Sequence, residues 1–322
     1  MKIFVTGASG FVGGAATRKL VERGYEVHAM SRGAASDERI LQLGAQPVRC
    51  DLETVSAADI GDADVVLHCA AYVDAWGPKD AWYRGNVQGT RAVLAAAQAA
   101  GVKRFIHIGT EAGIVHGQHI AGADEGYPLA PDSPYPYCAT KAQAEVLVRT
   151  AATADFFTIV LRPRFIWGPG DTTLLPAIEA MNASGKWSWI NQGRARTSTT
   201  HIDNLVQGIE LALVRGRSGE AYFVLDNETS TLRQMISGMA TSKGIVLPDR
   251  SIPSWLADTV GFLCEAVWRL FGLGGTPPLT RHAAMVMSRD CVLNDNKARR
   301  ELGYAPTMGV QEGLQNLAPR PQ

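Results

Sequence analysis

The chain has 322 residues, 46% hydrophobic and 19% charged, enough apolar content to bury a sizeable core and to exclude disorder as a main feature. Lysine plus arginine and aspartate plus glutamate both total 31, so the formal net charge is zero. A balanced chain has no general electrostatic pull toward nucleic acid or an anionic membrane.

The first half alternates strands and helices. Ile3–Thr6 reads as a short strand, followed by a glycine-rich turn and a helix from Phe11 to Arg23. Tyr25–Met30, Gln46–Arg49 and Asp64–Ala70 read as the second, third and fourth strands. Lys79–Ala100 is alanine-rich and predicts one long helix, stopped by Gly101. Lys103–Ile108 is a fifth strand, Tyr137–Thr150 a helix and Phe157–Leu161 a sixth strand. This order predicts an α/β fold of Rossmann type, a doubly wound parallel sheet with helices on both faces and ligands at the carboxyl ends of the strands. Beyond Pro163 the alternation stops, although Ile202–Val214 and Ala221–Leu225 read as a further helix and strand. The expected division is a dinucleotide-binding part over 1–165, to which 201–225 returns, and a smaller, mostly helical, substrate-binding part over 166–322.

The opening strand shows no signal-peptide pattern, and the five cysteines are scattered without CxxC or metal-ligand spacing. A reduced, cytoplasmic protein without a metal site is expected. His116 and His119 lack neighbouring carboxylates or cysteines and read as loop residues. The apolar stretch Ser254–Gly275 carries Asp258, Glu265 and Arg269, which makes it a poor membrane span. A cap helix, a dimer face or a peripheral membrane contact are the readings it leaves, in that order.

Thr6-Gly7-Ala8-Ser9-Gly10-Phe11-Val12-Gly13 stands between the first strand and helix with GxxGxxG spacing. Gly7 permits the tight turn, Gly10 lets backbone approach a pyrophosphate, and Gly13 lets the helix pack closely on the sheet. The helix N-terminus then offers its unpaired N–H groups to phosphate. The tip of the second strand carries no acid for a ribose hydroxyl. Its Ser31 and Arg32 suit a 2′-phosphate, so NADP(H) is favoured over NAD(H); the alternative is that Arg32 is a solvated surface residue.

Tyr137 and Lys141 lie four residues apart, on one face of the predicted helix. A cation beside a phenol favours phenolate and lowers a pKa that is otherwise too high for proton transfer at neutral pH. Together these segments resemble the extended branch of the short-chain dehydrogenase/reductase superfamily. The resemblance includes Asp51-Leu52 after the third strand, His68-Cys69-Ala70-Ala71 after the fourth, Asn86-Val87-Gln88-Gly89-Thr90, Leu161-Arg162-Pro163 and Thr200-His201-Ile202-Asp203-Asn204. It implies cofactor contacts from Asp51, Leu52, Cys69, Ala70, Ala71, Asn86 and Pro163, beside Ser9, Phe11 and Val12 of the glycine loop. Tyr137 is implied as acid/base, Lys141 as the residue that lowers its pKa, and Thr110 as the hydroxyl on the substrate oxygen.

Ala75-Trp76-Gly77 and Pro277-Pro278-Leu279-Thr280-Arg281 resemble the 3β-hydroxysteroid dehydrogenase and 2-alkyl-3-oxoalkanoate reductase subfamily. Sugar-nucleotide dehydratases of the branch carry two acids after the threonine. Here Thr110-Glu111 is followed by Ala112, so the second is missing, and Glu111 reads as a loop carboxylate near the pocket mouth. Arg164, Arg194 and Arg196 are candidates for a diphosphate. Trp76, Glu111, Arg164 and Trp167 are candidates for substrate contact, and the tryptophans of the second part favour a hydrophobic substrate.

The expected activity is interconversion of a secondary alcohol and a ketone on a steroid-like or long-chain molecule by an NAD(P)(H)-dependent enzyme. A sugar-nucleotide epimerase or dehydratase and a non-catalytic NADP(H) sensor are the alternatives. The expected partners are a small hydrophobic substrate and a second copy of the chain, with no nucleic acid.

Overall fold

A computed structural model describes residues 1–317, with nothing described of the Lys79 side chain. Seven parallel strands form the central sheet, in the order Glu220–Phe223, Phe157–Arg162, Arg104–Ile108, Val65–His68, Lys2–Thr6, Glu26–Ser31, Gln46–Arg49. The period-2 alternation of strands divides their side chains between two cores. Ile3, Val5, Val65, Leu67, Ile106 and Leu161 pack with Ala16 and Leu20 of helix Phe11–Glu22 and with Leu205 and Ile209 of helix Ile202–Ala212. Phe4, Val66, Phe105 and Val160 pack on the other face, with Val93 and Ala97 of helix Gly89–Ala99 and Val148 of helix Pro136–Thr150. Buried on both faces, these strands carry near-continuous apolar runs, as parallel strands do.

The strand order reverses between Lys2–Thr6 and Val65–His68, and a crevice opens at their carboxyl ends, where such sheets take ligands. His68 ties this point together: its Nδ1 lies 2.7 Å from Thr6 Oγ1 and its Nε2 3.0 Å from Thr90 Oγ1. Burial pushes the His68 pKa down to about 3, with Lys141 adding to the effect, so the ring is neutral and structural. Thr6 Oγ1 also accepts the Ala70 N–H at 3.1 Å, which fixes the loop after the fourth strand against the glycine loop.

Two regions depart from the sequence reading. The long helix is interrupted: an α-helical turn over Lys79–Trp82 widens into a π-helix over Tyr83–Gln88 before Gly89–Ala99 resumes. Such a turn is worth only its local packing, which periodicity does not show. The C-terminal part is not helical alone. Ser230–Thr231, Arg196–Thr197, Cys291–Leu293 and Ile120–Ala123 form a second, mixed sheet. Strands of two to four residues are too short to show an alternation.

Helix Ser254–Phe271 turns Asp258 toward Arg289 and Glu265 toward the Arg281 N–H, while Trp255, Phe262, Leu263, Leu270 and Phe271 are exposed. Among the described residues no helix is long and apolar enough to cross a membrane.

Candidate active site

A single cleft of about 1410 Å³ runs from the glycine loop across the switch point to the C-terminal helices. Its first wall is backbone. Gly7 has φ +75°, and a Cβ there would stand 2.8 Å from the Ala70 nitrogen. A Cβ on Gly13 would lie 2.2 Å from the Gly7 carbonyl oxygen, so the loop closes on the helix only without side chains. Ser9, Gly10, Phe11 and Val12 line the same wall, and helix Phe11–Glu22 has no side-chain cap. The cleft thus holds an open, uncapped helix N-terminus beside a glycine cradle, which fits the pyrophosphate of a dinucleotide.

The adenine end is bordered by Arg32, Asp51 and Leu52. Asp51 Oδ1 accepts the N–H groups of Glu53 and Thr54 at 2.8 and 2.9 Å, and these bonds hold its carboxyl below the usual carboxylate range despite partial burial. Arg32 is exposed at the cleft edge. Ser31 is not: it is buried, with its hydroxyl engaged by Gly33, Ser36 and Asp37. The expected Ser31 contact to a phosphate is therefore corrected to a turn-forming role, because a hydroxyl so occupied has nothing left to offer.

Cys69, Ala70, Ala71 and Pro163 line the middle of the cleft. Asn86 does not reach it. Its amide lies behind the wall, accepting the Tyr72 N–H at 2.7 Å and donating to the Tyr72 carbonyl and Thr140 Oγ1 at 3.1 Å each. Asn86 is thus a clamp that fixes the loop carrying Trp76 to the helix carrying Tyr137.

At the inner end Tyr137, Thr110, Glu111 and Arg164 meet. Tyr137 and Lys141 share one face of helix Pro136–Thr150, and Lys141 Nζ donates to the Ile108 carbonyl at 2.9 Å. Burial lowers the Lys141 pKa to about 8, against the raising influence of Glu145 and Cys69. The phenol moves opposite to the expected direction. Burial and then the Glu111 carboxylate push Tyr137 well above its ordinary 10, while a hydrogen bond with Thr110 pulls it back in part. Desolvation dominates, and the Lys141 ammonium is bonded to the Ile108 carbonyl and not to the phenol.

Glu111 is a second correction. It is buried and paired with Arg164, whose Nη1 lies 2.5 Å from Oε1, and its Oε2 accepts the Thr110 hydroxyl at 2.6 Å. Arg164 Nε donates to Thr197 Oγ1 at 2.9 Å. Neither residue is a loose group at the mouth: Arg164 Nε and Nη1 are both engaged within the protein. Arg194 and Arg196 do not line the cleft.

Trp167, offered as a substrate contact, is fully buried in the C-terminal core, with its Nε1 donating to Asp226 at 2.9 Å and its ring edge-on to His201. Trp76 does line the cleft, beneath the Arg269 guanidinium at 4.5 Å. The substrate end also contains Tyr72, Tyr135, Phe165, Arg281 and His282, which sequence reasoning missed. Phe165 adopts φ +46°, an outlier for a bulky side chain, placed where the strand Phe157–Arg162 turns into the cleft. Its only sequence signal was its place after Arg162-Pro163-Arg164.

Comparison with known proteins finds relatives along nearly the whole chain. Residues 3–224 match the NAD dependent epimerase/dehydratase family. The chain is 40% identical over 320 residues to a 4-hydroxy-2-methyl-3-oxo-4-farnesyl-3,4-dihydroquinoline-1-oxide ketoreductase of Stigmatella aurantiaca, covering 98% of this chain and 96% of that one. It is 36% identical to a 2-alkyl-3-oxoalkanoate reductase of Stenotrophomonas maltophilia, covering 98% of each. A solved double mutant of a dTDP-glucose 4,6-dehydratase of Streptomyces venezuelae, with NAD bound, shares the fold with a TM-score of 0.78 at 23% identity, over 98% of this chain and 95% of that one.

Proposed function

From the premise that the chain belongs to the NAD dependent epimerase/dehydratase family, the extended short-chain dehydrogenases, we propose that it interconverts a ketone and a secondary alcohol on a hydrophobic small molecule. The observation that carries this reading is the inner end of the cleft. There a partly buried phenol, Tyr137, lines the cleft with Thr110, Trp76, Tyr135 and Phe165, and Lys141 lies on the same helix face.

A nicotinamide bound along the cleft supplies the hydride. The chain supplies position and the proton. The Tyr137 hydroxyl donates to the oxygen that becomes an alkoxide, and a raised pKa keeps that proton in place until the alkoxide forms. Lys141, held by the Ile108 carbonyl, carries positive charge below about pH 8 and favours the phenolate left behind. Thr110 donates its proton to Glu111 in this structure, and turns from it when it donates to the phenolate or to a substrate oxygen. Glu111 is locked to Arg164, and Ala112 supplies no second carboxylate, which counts against the paired acid and base of a dehydratase.

We further propose NADP(H) as the preferred cofactor, because Arg32 offers an exposed guanidinium at the adenine edge, although the Glu53 carboxylate is exposed there too. The test is absorbance at 340 nm with NADPH or NADH and a panel of hydrophobic ketones. NADPH oxidation that depends on the ketone is expected. Tightly held NAD, no net oxidation and conversion of a UDP-sugar would replace this reading with an epimerase, to which the family also extends.

A further inference from the structure

The wall facing Tyr137 carries a histidine that belongs to no motif and that the proton chemistry above does not use. His282 lies in the first turn of helix Arg281–Ser288, with its ring 5.9 Å from that of Tyr137 and 5.8 Å from that of Tyr135. It borders the cleft and also a small adjoining cavity of about 20 Å³ shared with Glu111 and Arg164.

Its position is rigid. Thr280 caps the helix by accepting the Ala283 N–H at 3.1 Å, and Glu265 accepts the Arg281 N–H at 2.8 Å. At the other end Arg289 pairs with Asp258 at 2.7 Å and donates to the Gly117 carbonyl. Helix Ser254–Phe271 packs so closely here that a Cβ on Gly261 would meet the Arg281 nitrogen at 3.2 Å.

The imidazole has no hydrogen-bond partner among the described residues, whereas its polar neighbours Thr110, Glu111 and Arg164 are bonded to one another. Burial holds its pKa below the ordinary value of 6.5, with Glu111 and Arg164 acting in opposite senses. A neutral imidazole offers one N–H donor and one lone-pair acceptor. Fixed on the cleft wall, partly buried and one ring away from the proton donor, such a group can take a polar partner from a molecule bound in the cleft.

We infer that His282 is a specificity-determining residue that hydrogen-bonds a second oxygen of the substrate, carried a few bonds from the reacting carbonyl. The inference rests on the ketone-reductase reading and selects, among hydrophobic ketones, those with a further carbonyl, ester or hydroxyl group. His282 takes no part in the proton transfer; it decides which ketone lies correctly beneath Tyr137.

The test pairs two probes, the methyl ester of a long-chain 3-oxo acid and a ketone of equal chain length without the ester. Binding is followed on the full chain with NADP⁺, which permits no reduction, by the ¹⁵N signals of the His282 imidazole. Turnover of both probes is then measured with NADPH. The ester is expected to move the ring-nitrogen signals and the plain ketone to leave them in place. His282→Phe, which keeps the ring shape, is expected to raise KM for the ester roughly tenfold with kcat little changed and the plain ketone unaffected. His282→Gln, which keeps a donor and an acceptor, restores most of the loss. Unmoved signals with normal turnover of the ketone, or equal effects of His282→Phe on both probes, overturn the inference and leave the reductase reading standing. Failure of both probes to bind and to react overturns both.

Discussion

The two walls of the cleft are built from different material. The glycine-loop wall is backbone: Gly7 approaches Ala70, and Gly13 approaches Gly7, at distances that admit no Cβ. The substrate wall is side chain: Trp76, Tyr135, Arg269, Arg281 and His282 reach in from separate elements. A wall made of close backbone contacts leaves no room for a side chain. A side-chain wall leaves its framework intact when a residue changes, and so sets which substrate is taken. The difference locates common chemistry on one side and individual specificity on the other.

The sharpest way to break the comparison is Gly13→Val. Its Cβ would fall 2.2 Å from the Gly7 oxygen, against rigid backbone, so loss of all measurable cofactor binding by fluorescence titration is expected. Binding within about threefold of wild type would mean that the wall is softer than described. Next in size is Tyr137→Phe. A kcat lower by roughly 10² to 10⁴, with cofactor affinity preserved, is expected from steady-state kinetics. Arg164→Leu strands the Glu111 carboxylate in the protein, with a cost of about 3–5 kcal/mol expected from urea unfolding. An unchanged midpoint would show that solvent reaches the pair.

Lys141 gives a pH effect of defined sign. Its folded pKa of about 8 lies below its ordinary 10.5, so between these values the unfolded chain binds the proton that the folded one has lost. Stability therefore gains a contribution as pH rises from about 8 toward 10.5, and the burial penalty is constant below that window. Activity runs the other way. The kcat/KM is expected to fall above about pH 8, and Lys141→Arg should extend the plateau to higher pH. The smallest effect is at Arg32. Arg32→Ala is expected to weaken NADPH by roughly tenfold and leave NADH unchanged, in paired titrations.

These differences also explain what was legible beforehand. The glycine loop, the alternation of strands and helices and the Tyr137/Lys141 face follow from local spacing, and the strands of the central sheet agree with it to within a residue or two at most ends. Contacts between distant residues carry no such signal. Glu111 meets Arg164 and Tyr137 meets His282 only after the chain has folded. Trp167 shows the same limit from the other side: an indole beside a motif looked like a substrate contact, but its hydrogen bond to Asp226 belongs to the core. Ser31 lies at the tip of the second strand and Asn86 in the helical stretch, as expected, but hydrogen bonds keep both side chains out of the cleft lining.

The central claim is that this cleft moves a hydride between nicotinamide and a ketone under the control of Tyr137. A single turnover with NADPH deuterated at the transferring position of C4, followed by mass analysis of the product, tests it most directly. Deuterium on the carbinol carbon of the product alcohol, with no transfer in Tyr137→Phe, is the predicted result. Deuterium retained in the cofactor with every ketone offered, or undiminished transfer in Tyr137→Phe, would contradict it.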